Sequence, residues 1–218
     1  MQRFIFIFSF IAIPFLGKAQ ERFTITYKSK RVKYEKNVTY SLSPFEMVIN
    51  DSVSYTYNPG VMKAKKRAMK APLGSFFLSK STFVDIKNCY TLSPGGHQKK
   101  VDEQYLIIDS CTTGTWEITD STKPILGYQC YFAIGRSKED TFYVWFTPDL
   151  PKGAMPYTPT TLPGTVLEYW LQDSEFISTA KEIKAEAVDI IEPNYCQRIT
   201  RKEYVKWRES ITYRYIYF

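Results

Sequence analysis

The chain has 218 residues, 44% of them hydrophobic, enough for one domain of ordinary size with a genuine core. Its formal net charge is +7, and a modest +5 without residues 1–19, which read as an export signal and so make nucleic acid an unexpected partner. No run after Ala19 is apolar enough to cross a bilayer.

Residues 1–19, MQRFIFIFSFIAIPFLGKA, have Arg3 as a positive start, an apolar stretch from Phe4 to Leu16, and Gly17-Lys18-Ala19 as a small-residue cleavage pattern. This is the layout of a secretory signal peptide, with residues 20–218 as one mature domain. The apolar stretch is shorter than the roughly 20 residues a membrane-spanning helix needs, and Pro14 interrupts it. No Cys follows the cleavage pattern, which disfavours lipidation.

Residues 22–27, 37–42, 45–50 and 53–57 alternate apolar and polar side chains, and Asp51-Ser52 separates the last two runs. Four such runs in close succession predict an antiparallel meander with one wet face. Asn58-Pro59-Gly60 ends it. The basic cluster at 62–70, MKAKKRAMK, reads as a solvated loop, with lipid headgroups or an acidic partner as the alternative.

Residues 76–78 and 82–89 read as weaker strands, Ser93-Pro94-Gly95-Gly96 as a turn, and 104–109, 115–120 and 128–134 as further strands. In the last of these Tyr128, Cys130, Phe132 and Ile134 share one face. Residues 141–147 form a short apolar run stopped by Pro148, as expected of a strand covered on both faces. Residues 148–164 hold five prolines, which predicts a stiff, ordered loop too apolar for a linker. Gly164 then leads into a strand at 165–171. Residues 175–189 are rich in Ala, Glu and Lys, as a helix would be, but alternate like a strand, and the alternation predicts a strand. Thr200-Arg-Lys-Glu203 matches a capping box and predicts a short helix from Arg201. The tail, 211–218, reads as a terminal strand or a helix end; an outer-membrane barrel would need longer lipid-facing strands.

Chemistry-bearing motifs are scarce. The single histidine, His97, follows a Pro-Gly turn, and the spacing of Cys89, Cys111, Cys130 and Cys196 matches no compact metal motif. An even cysteine count in an exported chain admits disulfides. A hairpin centred near Lys123 sets Cys130 opposite Glu117 and leaves Cys111 roughly 20 Å away, beyond the reach of a bridge, so no pairing is assigned. There is no nucleophile elbow, phosphate-cradling loop or HExxH, and Asp102-Glu103 falls on opposite faces of a strand. These absences predict a protein that is not an enzyme and binds no cofactor or metal.

Residues 145–170, WFTPDLPKGAMPYTPTTLPGTVLEYW, with the upstream block WEITDSTKPILGYQCYFAIGR, resemble the signature of the GLPGLI family of Bacteroidota. The naming hexapeptide is degenerate here, TLPGTV, and only its Leu-Pro-Gly centre survives. The resemblance implies an exported protein but no particular biochemical role.

These readings combine into a mainly β single domain: one curved antiparallel sheet, open or half-barrel-like, of about eight to eleven strands with a short C-terminal helix. Aromatic residues make up 17% of the chain, more than a core alone requires. The expected function is a non-enzymatic protein of the periplasm or outer membrane, or a secreted one, that holds an apolar ligand or partner segment on an aromatic sheet face. Trp145, Tyr157, Leu162, Pro163, Gly164 and Trp170 are its candidate ligand residues. Lipid, a lipoprotein or an outer-membrane protein are the partners such a face would suit. Copper handling, or service as an accessory subunit of an outer-membrane transport system, are the alternatives.

Overall fold

The computed structural model describes residues 22–31, 43–60, 81–97, 100–110, 114–137, 140–185 and 188–216. The expected signal peptide, the strands expected at 37–42 and 76–78, the basic cluster at 62–70 and Cys111 lie outside them. The strands are β1 (Phe23–Arg31), β2 (Phe45–Ile49), β3 (Val53–Tyr57), β4 (Thr82–Asp85), β5 (Tyr90–His97), β6 (Lys100–Ser110), β7 (Thr115–Ile125), β8 (Tyr128–Arg136) and β9 (Thr141–Thr147). They continue with β10 (Ala154–Met155), β11 (Thr158–Pro159), β12 (Thr165–Leu171), β13 (Phe176–Ala185) and β14 (Gln197–Thr200), followed by helix α1 (Arg201–Ile216).

All fourteen strands belong to one sheet, ordered β14-β6-β5-β4-β3-β2-β1-β13-β12-β9-β8-β7, with β10 and β11 beside β12. The path does not close on itself; β14 and β7 are its free edges. Among the described residues the fold is therefore mainly β, with one open sheet and a C-terminal helix, as the alternation predicts. Neighbours run antiparallel except β14 with β6 and β10 with β12, which are parallel. The strand count exceeds the expected range partly because the proline-rich loop contributes two two-residue strands and a short β14 precedes the helix.

Three local expectations need correction. Ser93–Gly96 is not a turn but the middle of β5, paired with residues 104–107 of β6. The ladder between β4 and β5 ends at Leu92, so Pro94 interrupts no β4 rung, and Gly95 admits the side chains of Ile107 and Tyr204 at distances that a Cβ would forbid. The strand expected over 82–89 stops at Asp85, whose carboxylate accepts hydrogen bonds from the Asn88 backbone N–H (2.7 Å) and side-chain amide (2.9 Å) and closes a turn. The hairpin of β7 and β8 turns at Leu126-Gly127, not at Lys123, because both residues adopt positive φ (51° and 85°), as a two-residue hairpin loop requires. Pro124 is tolerated because β7 is an edge strand.

The helix forms where its cap predicts. Glu203 Oε2 accepts from the Thr200 backbone N–H (2.7 Å) and hydroxyl (2.8 Å), while the Glu203 N–H donates to Thr200 Oγ1 (3.3 Å). The helix extends to Ile216, so most of the expected tail is helical. It docks on β6 through Trp207, edge-on to Tyr105 at 5.0 Å, and through an ion pair between Arg201 and Asp109.

The two faces of the sheet are covered differently. On one, Ile25, Tyr27, Phe45 and Met47 form a buried cluster that includes Leu150 and Ala154 of the loop 148–164. Met155 and Leu162 of the same loop are buried with Ala133, Val144, Phe146 and Val166. Burying the three larger loop side chains contributes about 5–9 kcal/mol, comparable with a domain's whole net stability. The loop is therefore core, not a flap. Hydrogen bonds pin it, from Tyr27 Oη to the Val166 carbonyl (2.7 Å) and from Thr165 Oγ1 to the Pro151 carbonyl (2.6 Å). Gly164 lies so close to β9 that a Cβ would stand 1.9 Å from the Thr147 carbonyl oxygen. On the other face, at the β2–β6 end, Val48, Tyr55, Phe83, Leu92 and Leu106 are covered by Val188, Ile190, Tyr195 and Cys196.

Candidate functional site: an aromatic sheet face

Alternation along β8, β9 and β12 sends Ala133, Val144 and Phe146 toward the proline-rich loop and their neighbours the other way. The register then decides which of those neighbours meet. Phe132 pairs with Trp145, Tyr143 with Trp170, and Trp145 with Glu168, which in turn pairs with Thr179. Phe132 is the hub: its ring lies 5.0 Å from Trp145, 6.3 Å from Tyr143 and 6.0 Å from Trp170. Tyr143 and Trp170 stack on each other at 5.4 Å and 20°. All four rings are half-buried.

A polar group is set into this aromatic surface. Lys123 Nζ lies 4.4 Å from the centroid of the Trp145 ring and donates to Glu168 Oε1 at 2.5 Å. Glu168 Oε2 accepts from Thr179 Oγ1 at 2.9 Å. The Glu168 side chain is 16% exposed and that of Lys123 35%, so the pair is drier than an ordinary surface ion pair. Cation–π contact and hydrogen bonding fix the Lys123 stem in place.

Of the six residues expected to bind ligand, Trp145 and Trp170 come together, both against Phe132. Tyr157, Leu162, Pro163 and Gly164 belong to the loop on the opposite face. Tyr157 is exposed, adopts φ 67°, tilts over Phe45 at 5.5 Å, and its backbone N–H donates to Thr56 Oγ1 at 3.2 Å. Leu162 and Gly164 are buried in the loop's packing, and Pro163 is exposed beside them. Phe132, Tyr143, Lys123, Glu168 and Thr179 were not among the candidates. The shared face of Tyr128, Cys130, Phe132 and Ile134 was the signal available for Phe132. The Glu168 position depends on a register shift between Val166 and Glu168 that no sequence pattern reveals.

The sulfur chemistry divides. Cys89 is disulfide-bonded, whereas Cys130 and Cys196 are free. Burial pushes the Cys130 thiol up to about 11, and its Sγ lies 3.6 Å from the Tyr128 carbonyl oxygen. Burial likewise raises Cys196. No cluster of three or more His, Cys, Asp or Glu side chains suited to a metal ion occurs among the described residues. Burial also drives the Tyr169 phenol up to about 12. Aromatic contact and hydrogen bonding to a charged pair are thus what this face has to offer a ligand.

A family model described as the N-glycanase peptide, N-terminal domain, matches residues 59–214. Two solved structures of PNGF-II, in space groups C2 and P21, are similar in fold, with TM-scores of 0.59 and 0.57 and 18% identity to each. Each match covers 85% of this chain and 32% of the solved chain, so the present chain spans about a third of their length. No curated protein matches the sequence.

Proposed function

We propose, from the premise that this chain belongs to the N-glycanase peptide, N-terminal domain family, that it is a non-enzymatic binding module holding a saccharide against its aromatic sheet face. The observation that carries this reading is the half-exposed set of Phe132, Tyr143, Trp145 and Trp170 around the Lys123–Glu168 pair. A pyranose ring presents C–H bonds on its face and hydroxyls on its rim. Aromatic rings suit the first, and an ion pair with spare lone pairs suits the second. A purely apolar ligand would cover the Lys123–Glu168 pair and offer nothing to its remaining ammonium protons and carboxylate lone pairs. The family description, which names an N-glycanase, favours a sugar over an acyl chain. That enzymatic activity is a property of the named proteins, and here the proposal is confined to binding.

Export to the periplasm, the outer membrane or the exterior belongs to the same proposal and rests on residues 1–19. So does the GLPGLI resemblance, whose quoted signature, residues 145–170, falls inside the matched span 59–214. Metal handling has less support, because Cys89 is engaged in a disulfide and the Cys130 thiol is buried.

The test is a titration of the chain with chitotetraose and, separately, with palmitate, followed by tryptophan fluorescence. Chitotetraose is expected to shift the emission, and Trp170→Ala to weaken its binding roughly tenfold, as loss of a central aromatic anchor does elsewhere. Saturable binding of palmitate alone would replace the saccharide with the apolar ligand expected from the sequence. Binding of neither would remove the module reading.

A further inference from the structure

The register places more on this face than the rings. Thr179, which hydrogen-bonds Glu168, pairs across β1 with Lys28, and Ile177, next along the same face, pairs with Lys30. Strand spacing of about 4.8 Å sets these two lysines roughly 10 Å from the β12 residues Glu168 and Trp170. Both lysines are exposed, while the intervening Ser29 is buried and faces the opposite way with Ser178.

The charge on this side is unbalanced. Glu168 pairs with Lys123, Glu182 with Lys184 and Glu117 with Arg136, whereas Glu46, hydrogen-bonded by the neutral Tyr57 hydroxyl and diagonal to Lys28 across β2, keeps its charge and offsets only one of the two lysines. Lys28 and Lys30 have no ion pair among the described residues. Two adjacent cations on one strand face, neither in an ion pair among the described residues, repel each other, and an anion bridging them would relieve that repulsion.

We infer that the ligand is an acidic saccharide, with a neutral ring against Trp145 and Trp170 and a carboxylate or sulfate on the neighbouring residue held by Lys28 and Lys30. This inference rests on the saccharide reading above and adds charge to it. The offset, roughly 10 Å from Trp170 and about one strand spacing more from Trp145, corresponds to about two or three pyranose units, so the smallest ligand engaging both parts is a short oligosaccharide and not a monosaccharide.

The experiment compares three tetrasaccharides at low salt: neutral N-acetylated chitotetraose, hyaluronan tetrasaccharide with carboxylates alone, and chondroitin sulfate tetrasaccharide with carboxylates and sulfates. At least one acidic probe is expected to bind about tenfold tighter than the neutral one, an advantage that shrinks at 0.3 M salt as two exposed charge contacts should. The double substitution Lys28→Gln/Lys30→Gln is expected to abolish the advantage while leaving chitotetraose affinity and the thermal midpoint unchanged. Both acidic probes carry carboxylates, so an equal loss assigns the carboxylate, and a larger loss for the chondroitin sulfate probe assigns the sulfate. Equal affinity for neutral and acidic probes, or an advantage that survives the double substitution, would overturn the inference and leave the saccharide reading standing. Failure of all three to bind would overturn both.

Discussion

Cys130 shows how burial alone sets the chemistry of a residue. Desolvation raises its thiol from an ordinary value near 9 to about 11, against smaller opposing effects of a backbone hydrogen bond with Ile125 and the charge of Lys123. The folded chain keeps a proton there that the unfolded chain releases first. The associated stability is therefore complete below about pH 9 and is lost as pH rises through about 11, an effect on the order of 2 kcal/mol. Tyr27, Tyr55, Tyr157 and Tyr169, all raised by burial, add to the loss above pH 10. Urea midpoints measured from pH 8 to 11 should fall, and Cys130→Ala should flatten the part between pH 9 and 10. A wild-type midpoint that stays level over that interval would contradict a protonated, buried thiol.

Among the elements, the β7–β8 hairpin contains a mismatch between sequence and backbone. Leu126 sits at φ 51° and is 46% exposed, a conformation that costs a branched apolar residue of order 1 kcal/mol and returns little burial. Leu126→Asn would create the Asn-Gly pair that such turns favour, and should raise stability by about 1 kcal/mol in a urea titration without altering binding. A destabilised variant would show that Leu126 packs against something in solution. The position of this turn is hidden in the local sequence. Lys123-Pro124 looks like punctuation, and only the edge position of β7 lets a proline lie within a strand. Ser93–Gly96 failed likewise, since Pro and Gly signal a turn until Ile107 and Tyr204 are seen to need the space.

At the scale of the molecule, the order of strands joins the chain's two halves. The N-terminal β1 lies between β2 and β13, so the meander of β2–β6 and the aromatic strands β9 and β12 share one continuous sheet. The buried cluster around Tyr27 spans both parts, from Met47 to Leu167. Unfolding should therefore be cooperative. Trp116, Trp145 and Trp170 report on one end and Trp207 on the other. In a variant with only Trp207 retained, its fluorescence should change at the same urea concentration as the wild-type far-UV signal, after allowance for the stability the substitutions remove. Two separated transitions within that variant would mean that the ends melt independently.

Period-two alternation, proline and glycine punctuation and the Thr200–Glu203 box are local properties of covalent order, and they are enough for the strand character of most elements and for the helix start. They also marked the 148–164 stretch as ordered, because five prolines in apolar company can be accommodated against a core. Which side that loop would cover was beyond them. Tyr157 and Leu162 looked equivalent to Trp145 and Trp170 as aromatic or apolar residues in one segment, and only long-range packing separated loop from open face. The meeting of Lys123, Glu168, Thr179 and Lys28 depends on register between strands more than a hundred residues apart, including an irregularity in β12. Alternation fixes which residues can share a face, but side chains from four distant strands become neighbours only when the whole sheet is assembled.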